Sequence, residues 1–284
     1  MNFFTYLFIL LICNLSTITL ANNITSNIIV IADIHGDIER FRYILQDANV
    51  LDKYDRWIAP PNTNIIQLGD QIDPKNNKKF DKKHHFDMIY FTDKLEYIAK
   101  LHNSTFTSMI GNHEYYRFDM IQYDNELSSI IAKRPVIKQI GEYLFCHAGF
   151  KMSHYLVMRQ YNISFKDINN IWFNLVKNNT MTENDTIVAR LLITDYDSII
   201  FTRSQDNSVN NRLLFDTIDV KNMFVGHMIS KYIHVKNNVW FLDQTLSDAF
   251  NNNIYTYITI IDNDIIIKSP RKYWYWSNYF KLIF

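Results

Sequence analysis

Five short apolar runs, each stopped by a polar turn, constrain this chain more than any other feature. They are Asn27-Ile28-Ile29-Val30-Ile31-Ala32, Asn64-Ile65-Ile66-Gln67-Leu68, Phe106-Thr107-Ser108-Met109-Ile110, Glu142-Tyr143-Leu144-Phe145-Cys146 and Asn222-Met223-Phe224-Val225. Their length and their β-branched and aromatic content suit strands buried on both faces. The turns that follow are Asp33-Ile34-His35-Gly36-Asp37, Gly69-Asp70-Gln71-Ile72-Asp73, Gly111-Asn112-His113-Glu114, His147-Ala148-Gly149 and Gly226-His227. Open α/β sheets gather their chemistry beyond the strand ends, so these turns are expected to meet.

Between the runs the apolar period changes to that of helices. Ile38, Phe41, Ile44, Leu45 and Ala48 predict a helix over 38–48, and Ile89, Phe91, Leu95, Ile98 and Leu101 a longer one over 86–102. Strand and helix thus alternate, with short βαβ crossovers. The second half carries more strands. Residues 136–140 and 142–146 read as a pair joined at Gly141, a helical pattern spans 152–190, and further strand patterns cover 222–225, 232–235, 239–242, 255–261 and 265–268. A chain of 284 residues, 48% of them hydrophobic, can bury one large core, and no repeat or low-complexity linker divides it. The expected fold class is α/β, a four-layer sandwich of two mixed sheets flanked by helices over 22–284. With 29 basic and 29 acidic residues the charge is balanced, so no nucleic-acid partner is expected.

Residues 1–21 carry no charge, and Thr19 and Ala21 are small enough for a cleavage site. The segment reads as a secretory signal peptide, placing the chain in the secretory pathway or outside the cell. The rival is an uncleaved membrane anchor, because no basic residue precedes the apolar run. Removal of the segment takes away Cys13 and leaves Cys146 as the one thiol, so no intramolecular disulfide is expected. Cys146 itself, at the end of an apolar run, reads as a small buried residue and not as a nucleophile. Residues 273–284, which open with Tyr273-Trp274-Tyr275-Trp276 and include Tyr279, Phe280 and Phe284, form an aromatic tail that suits either packing or a membrane interface.

Asp33, His35, Asp70, Asn112, His147 and His227 all fall within a few residues of an expected strand end. Imidazole nitrogen with carboxylate and amide oxygen is the donor set of borderline divalent metals such as Mn, Zn or Fe. Any one of these histidines alone would read as a structural residue; the set does not.

In this order and spacing the five turns resemble the calcineurin-like metallophosphoesterases, and within them the serine/threonine phosphoprotein phosphatases. That family's signposts are G-D-x-H-G, G-D-x-x-D-R-G, G-N-H-E, H-G-G and G-H. The resemblance covers about residues 28–250, and the stretches 198–203 and 241–247 look most like the bacterial-type branch that includes the Shewanella-like phosphatases. The likeness implies that Asp33 and His35 hold one metal, that Asn112, His147 and His227 hold a second, and that Asp70 bridges them. Two cations roughly 3.5–4 Å apart would activate a shared hydroxide and clamp the phosphoryl oxygens. It further implies that His113 protonates the leaving oxygen while Asp73 fixes its ring. The expected function is a two-metal phosphomonoester hydrolase acting on phosphorylated protein or a small phosphoester.

The departure from the pattern that bears on phosphate binding follows Asp73. The family carries an arginine directly after the residue matching Asp73, to grip phosphate through two hydrogen bonds, and here stands Pro74. Arg203 resembles a second phosphate-binding arginine, and Arg117, just past Gly111-Asn112-His113-Glu114, is a substitute candidate. Lys75, Lys78, Lys79, Lys82, Lys83, His84 and His85 form a basic loop that reads first as solvated surface. Two alternatives stay open: hydrolysis of a nucleotide or dinucleotide polyphosphate, and a metal-bearing module that recognises phosphate without turnover.

Overall fold

A computed structural model describes residues 27–73, 86–205, 207–244 and 256–269. The segment 1–21 with Cys13, Pro74 with the basic loop that follows it, and the aromatic tail lie outside the described residues. The strands are β1 (Ile28–Ile31), β2 (Asn64–Gln67), β3 (Thr105–Ser108), β4 (Ile137–Ile140), β5 (Tyr143–Cys146), β6 (Asn222–Val225), β7 (His234–Lys236), β8 (Val239–Phe241), β9 (Tyr257–Ile261) and β10 (Asp264–Lys268). They form two mixed sheets, ordered β10-β9-β1-β2-β3 and β4-β5-β6-β8-β7.

In the first sheet β1, β2 and β3 are parallel, and β9 closes antiparallel on the free side of β1. Parallel neighbours need a crossover, which α1 (Ile38–Asp47) and α2 (Asp87–Leu101) supply as the apolar spacing predicts. The Asp37 side chain accepts from the Arg40 amide at 3.0 Å and caps α1, which buries Phe41, Ile44 and Leu45. In the second sheet β4 and β5 form the expected hairpin at Gly141, whose φ of 54° suits glycine, and β5, β6 and β8 run parallel.

The central strands of the second sheet alternate between two cores. Tyr143, Phe145 and Phe224 pack with the first sheet, α1 and α2. Leu144, Cys146, Met223 and Val225 pack with the helices of the other side, where Trp172 is fully buried. Those helices are α3 (Asn112–Tyr116), α4 (Phe118–Ile121), α5 (Asn125–Ala132), α6 (Met152–Tyr161), α7 (Phe165–Val176), α8 (Glu183–Ala189) and α9 (Ser208–Ile218), with a π-helical turn at Arg190–Thr194. The layers are therefore helix, sheet, sheet, helix. Cys146 faces Met223 with its sulfur at 3.8 Å, and burial pushes its thiol pKa up, against any nucleophilic role.

Two details differ from the periodicity. The helical pattern over 152–190 is three helices, broken where Asn162 turns left-handed and where Ser164 and Thr182 cap new starts. The expected strand 232–235 shifts to His234–Lys236 because Ser230 and Tyr232 are tied into a turn through the Ser230 hydroxyl. Among the described residues no helix is long and apolar enough to cross a membrane.

Candidate active site

Each parallel strand ends at the crevice between the sheets and hands its turn to it. Asp33 and His35 follow β1, Asp70 and Asp73 follow β2, Asn112 and His113 follow β3, His147 follows β5 and His227 follows β6. Asn112 and His35 stand four residues past their strands, slightly further than the sequence suggests. Four of these residues take left-handed backbone: His35 at φ 45°, Asp70 at 52°, Asp73 at 59° and His227 at 61°. Asp and His tolerate that region better than most side chains, yet it persists only where neighbours impose it. The neighbours are identifiable. The Ile34 and His35 amides both donate to the Asp70 carbonyl, at 3.1 and 3.0 Å, and the Gly226 amide donates to the His147 carbonyl at 2.8 Å.

Two glycines leave room for this crowding. A Cβ on Gly69, itself at φ 97°, would lie 2.7 Å from the Gly111 nitrogen, and one on Gly226 would collide with the Asp33 carboxylate. Beneath them Glu114 is fully buried and accepts four backbone amides: Asp70 at 3.0 Å, Gln71 at 2.7 Å, Ile72 at 3.4 Å and Gly111 at 2.8 Å. Burial and the Asp70 charge push its pKa up, but every one of these partners is a donor, so the ionised form is the one that satisfies them. Glu114→Gln turns one oxygen into a donor facing donors. The expected result is a loss of about 2–4 kcal/mol, read as a lower urea midpoint with unchanged slope.

Three of the histidines are each anchored to a backbone carbonyl through one ring nitrogen. His35 Nδ1 donates to the Ile72 carbonyl at 3.1 Å, His147 Nδ1 to Leu68 at 2.8 Å and His227 Nε2 to Phe201 at 3.1 Å. This is how metal-binding histidines are oriented and their tautomer fixed. The ligand atoms of Asp70, His147 and His227 lie within 4.8 Å of one another, as do those of His35, Asp70 and His113, so Asp70 belongs to both groups. His147 Nε2 faces Asn112 Oδ1 at 2.9 Å and Asp70 Oδ1 at 3.4 Å.

The electrostatics fit bound divalent metal. Burial disfavours charge on His147, yet the carboxylates of Asp70 and Asp33 outweigh it and push its pKa up to about 10. Burial, and after it the neighbouring Asp243, push Asp33 well above the carboxylate range. A fully buried carboxylate so placed calls for a positive neighbour. His227 is driven down to about 3 by burial and by His147, which keeps it neutral and able to donate its lone pair. Converging lone pairs of nitrogen and oxygen, with more negative than positive charge, are what a divalent cation requires.

His113 differs from the others. Its Nδ1 bonds the Asp73 carboxylate at 3.2 Å and its Nε2 stands 3.8 Å from Asp70 Oδ2, while its side chain is 16% exposed against 0% for His147. Burial lowers its pKa, but the Asp73 bond with the Asp70 and Glu114 charges more than compensates, so the net direction is upward. Arg117 binds Asp73 from the other side, Nε at 2.8 and 2.9 Å from its two oxygens. Arg203 is exposed beyond His227 and lines a cavity of ≈ 340 Å³ with Met228, His234 and Phe241. Asp243, 2% exposed at the end of β8, belongs to the site and was not singled out from the sequence. The signal was available, since it follows an apolar run as the other site residues do.

A family model described as calcineurin-like phosphoesterase matches residues 26–230. Shewanella-like protein phosphatase 2 of Arabidopsis thaliana is 31% identical over 87 residues, which are 31% of this chain and 20% of that protein. Shewanella-like protein phosphatase 1 of Plasmodium berghei is 38% identical over 88 residues, 31% of this chain and 22% of its own length. The match thus spans about a fifth of these curated relatives. Among solved structures, a cold-active protein-tyrosine phosphatase of a psychrophilic Shewanella superposes with TM-score 0.68 at 13% identity, covering 87% of this chain and 80% of that one. A serine/threonine phosphatase from Saccharomyces cerevisiae superposes with TM-score 0.54 at 12% identity, covering 88% and 81%.

Proposed function

The chain belongs to the calcineurin-like phosphoesterase family, and from that premise we propose that it is a two-metal phosphomonoester hydrolase of the serine/threonine phosphoprotein phosphatase type. The observation that carries the reading is Asp70, whose carboxylate belongs to both groups of possible metal ligands. In this proposal Asp33 and His35 hold one divalent ion, Asn112, His147 and His227 the other, and Asp70 both. Bound Mn, Zn or Fe would polarise phosphoryl oxygens and lower the pKa of water in the crevice.

The chain's own groups do the rest. His113 carries a proton toward the leaving oxygen, and Asp73, accepting from Nδ1, keeps that proton on the side facing the crevice. Arg203 offers a fork of N–H donors to phosphate from the His227 side. Export through the secretory pathway is part of the proposal and rests on residues 1–21 of the sequence alone.

The test is turnover by the purified, Mn-supplemented protein on a panel of phosphoserine and phosphothreonine peptides, an aryl phosphate and a dinucleotide polyphosphate, each repeated with chelator. Chelator-sensitive hydrolysis that favours the phosphopeptides is expected. Preference for the dinucleotide would replace the substrate class, and metal binding without turnover of any ester would leave a phosphate-recognition module in its place.

A further inference from the structure

Arg117 sits where it is because two short helices meet there. It closes α3 and opens α4, and its amide donates to the His113 carbonyl at 3.3 Å. Residues four apart on one helical turn share a face, so the His113 and Arg117 side chains rise on the same side of the chain. Both then meet Asp73. His113 takes one carboxylate oxygen and Arg117 Nε approaches both, which fixes the guanidinium one side chain away from the imidazole. Among the described residues its two terminal nitrogens have no hydrogen-bond partner, and the side chain is 43% exposed at the rim of the crevice.

The crevice needs such a group. Asp33, Asp70 and Asp73 present carboxylates to any anion that enters, and the residue after Asp73 is Pro74, which carries no charge. A guanidinium anchored through Nε loses little further freedom when its outer edge binds, and that edge matches two oxygens of a tetrahedral oxyanion. We propose that Arg117 is a phosphate-binding residue, its two terminal nitrogens gripping non-bridging oxygens of a phosphate dianion on the His113 side. The ligand class is a phosphomonoester or inorganic phosphate. The inference rests on the phosphatase reading for its substrate, although phosphate binding can be measured without turnover.

The experiment is calorimetric titration of inorganic phosphate into the Mn-supplemented protein and into Arg117→Gln and Arg117→Lys, with folding and metal content of each checked first. Glutamine can keep a hydrogen bond to Asp73 without the charge, and lysine keeps the charge without the fork. Charge-assisted hydrogen bonds of this kind predict a dissociation constant raised about tenfold to a hundredfold in Arg117→Gln and by less in Arg117→Lys, with KM rising in step. Unchanged phosphate affinity in Arg117→Gln, with a lower kcat and a displaced alkaline limb, would overturn the inference and leave Arg117 a brace for Asp73. Phosphate binding that depends on Arg117 in a protein that hydrolyses no ester would uphold it while refuting the hydrolase. Active enzyme with wild-type phosphate affinity in both variants would do the reverse.

Discussion

His113→Ala lowers kcat on alkyl phosphoesters by about 10²–10⁴ and leaves metal content unchanged, the range ordinary for loss of a positioned general acid. The side chain pairs through Nδ1 with Asp73, a carboxylate outside the proposed ligand set. The loss is expected to shrink on nitrophenyl phosphate, whose leaving group needs no proton. The pH dependence follows from the sign of the shift. Burial alone would lower the His113 pKa, but Asp73, Asp70 and Glu114 together raise it, so the acid form is present below the raised pKa and is lost as pH rises through it. Wild-type kcat therefore falls on the alkaline side, and His113→Ala abolishes that limb. Bound cations would move the limb to lower pH without changing its direction. Full turnover of an alkyl ester by the variant, with the limb intact, would remove His113 from the chemistry.

Asp70→Asn is the second large effect. The substitution is isosteric, and its remaining oxygen can still accept the His113 amide, which Asp70 Oδ1 binds at 2.9 Å. What is lost is charge. Burial works against the Asp70 carboxylate, yet His147, His113 and His35 hold its pKa below the usual range, which marks it as the anionic hinge of the cluster. Removal of an outer partner alone typically costs 10–100-fold in metal affinity or activity, so losing a shared ligand is expected to cost at least about a hundredfold in both. Elemental analysis after dialysis and turnover at saturating Mn are the readouts. Normal metal content with normal activity would show that Asp70 bridges nothing.

Much of this architecture was legible because two signals coincide. A strand buried on both faces reads as a continuous apolar run, as in Ile28–Ile31 and Tyr143–Cys146, and its end is marked by a residue that can turn. The ligand candidates were found through that coincidence, without knowledge of which strands pair. The helices α3 to α5 and α9 left weaker traces. In α9 Asn211 is buried beside Leu214 and Phe215 while Val209 and Leu213 are exposed, so its apolar period is blurred. Asp243 follows the strand pattern over 239–242, but nothing local shows that its carboxylate lies near that of Asp33. In the sequence Glu114 has no chemical role beyond bracing its own turn, and only the backbone shows that it receives four amides from the turns around it. The bond between Arg117 and Asp73 spans 44 residues and depends on how two turns approach in space, which no local pattern carries.

In the proposed mechanism the strand ends assemble a phosphoester-hydrolysing centre around two metal ions. Its most direct test is a titration of chelator-stripped protein with Mn, turnover of an aryl phosphate being followed against equivalents bound. Activity absent at the start and rising to a plateau at two equivalents is predicted. Full turnover in the stripped protein, or a plateau reached at one equivalent, would contradict it.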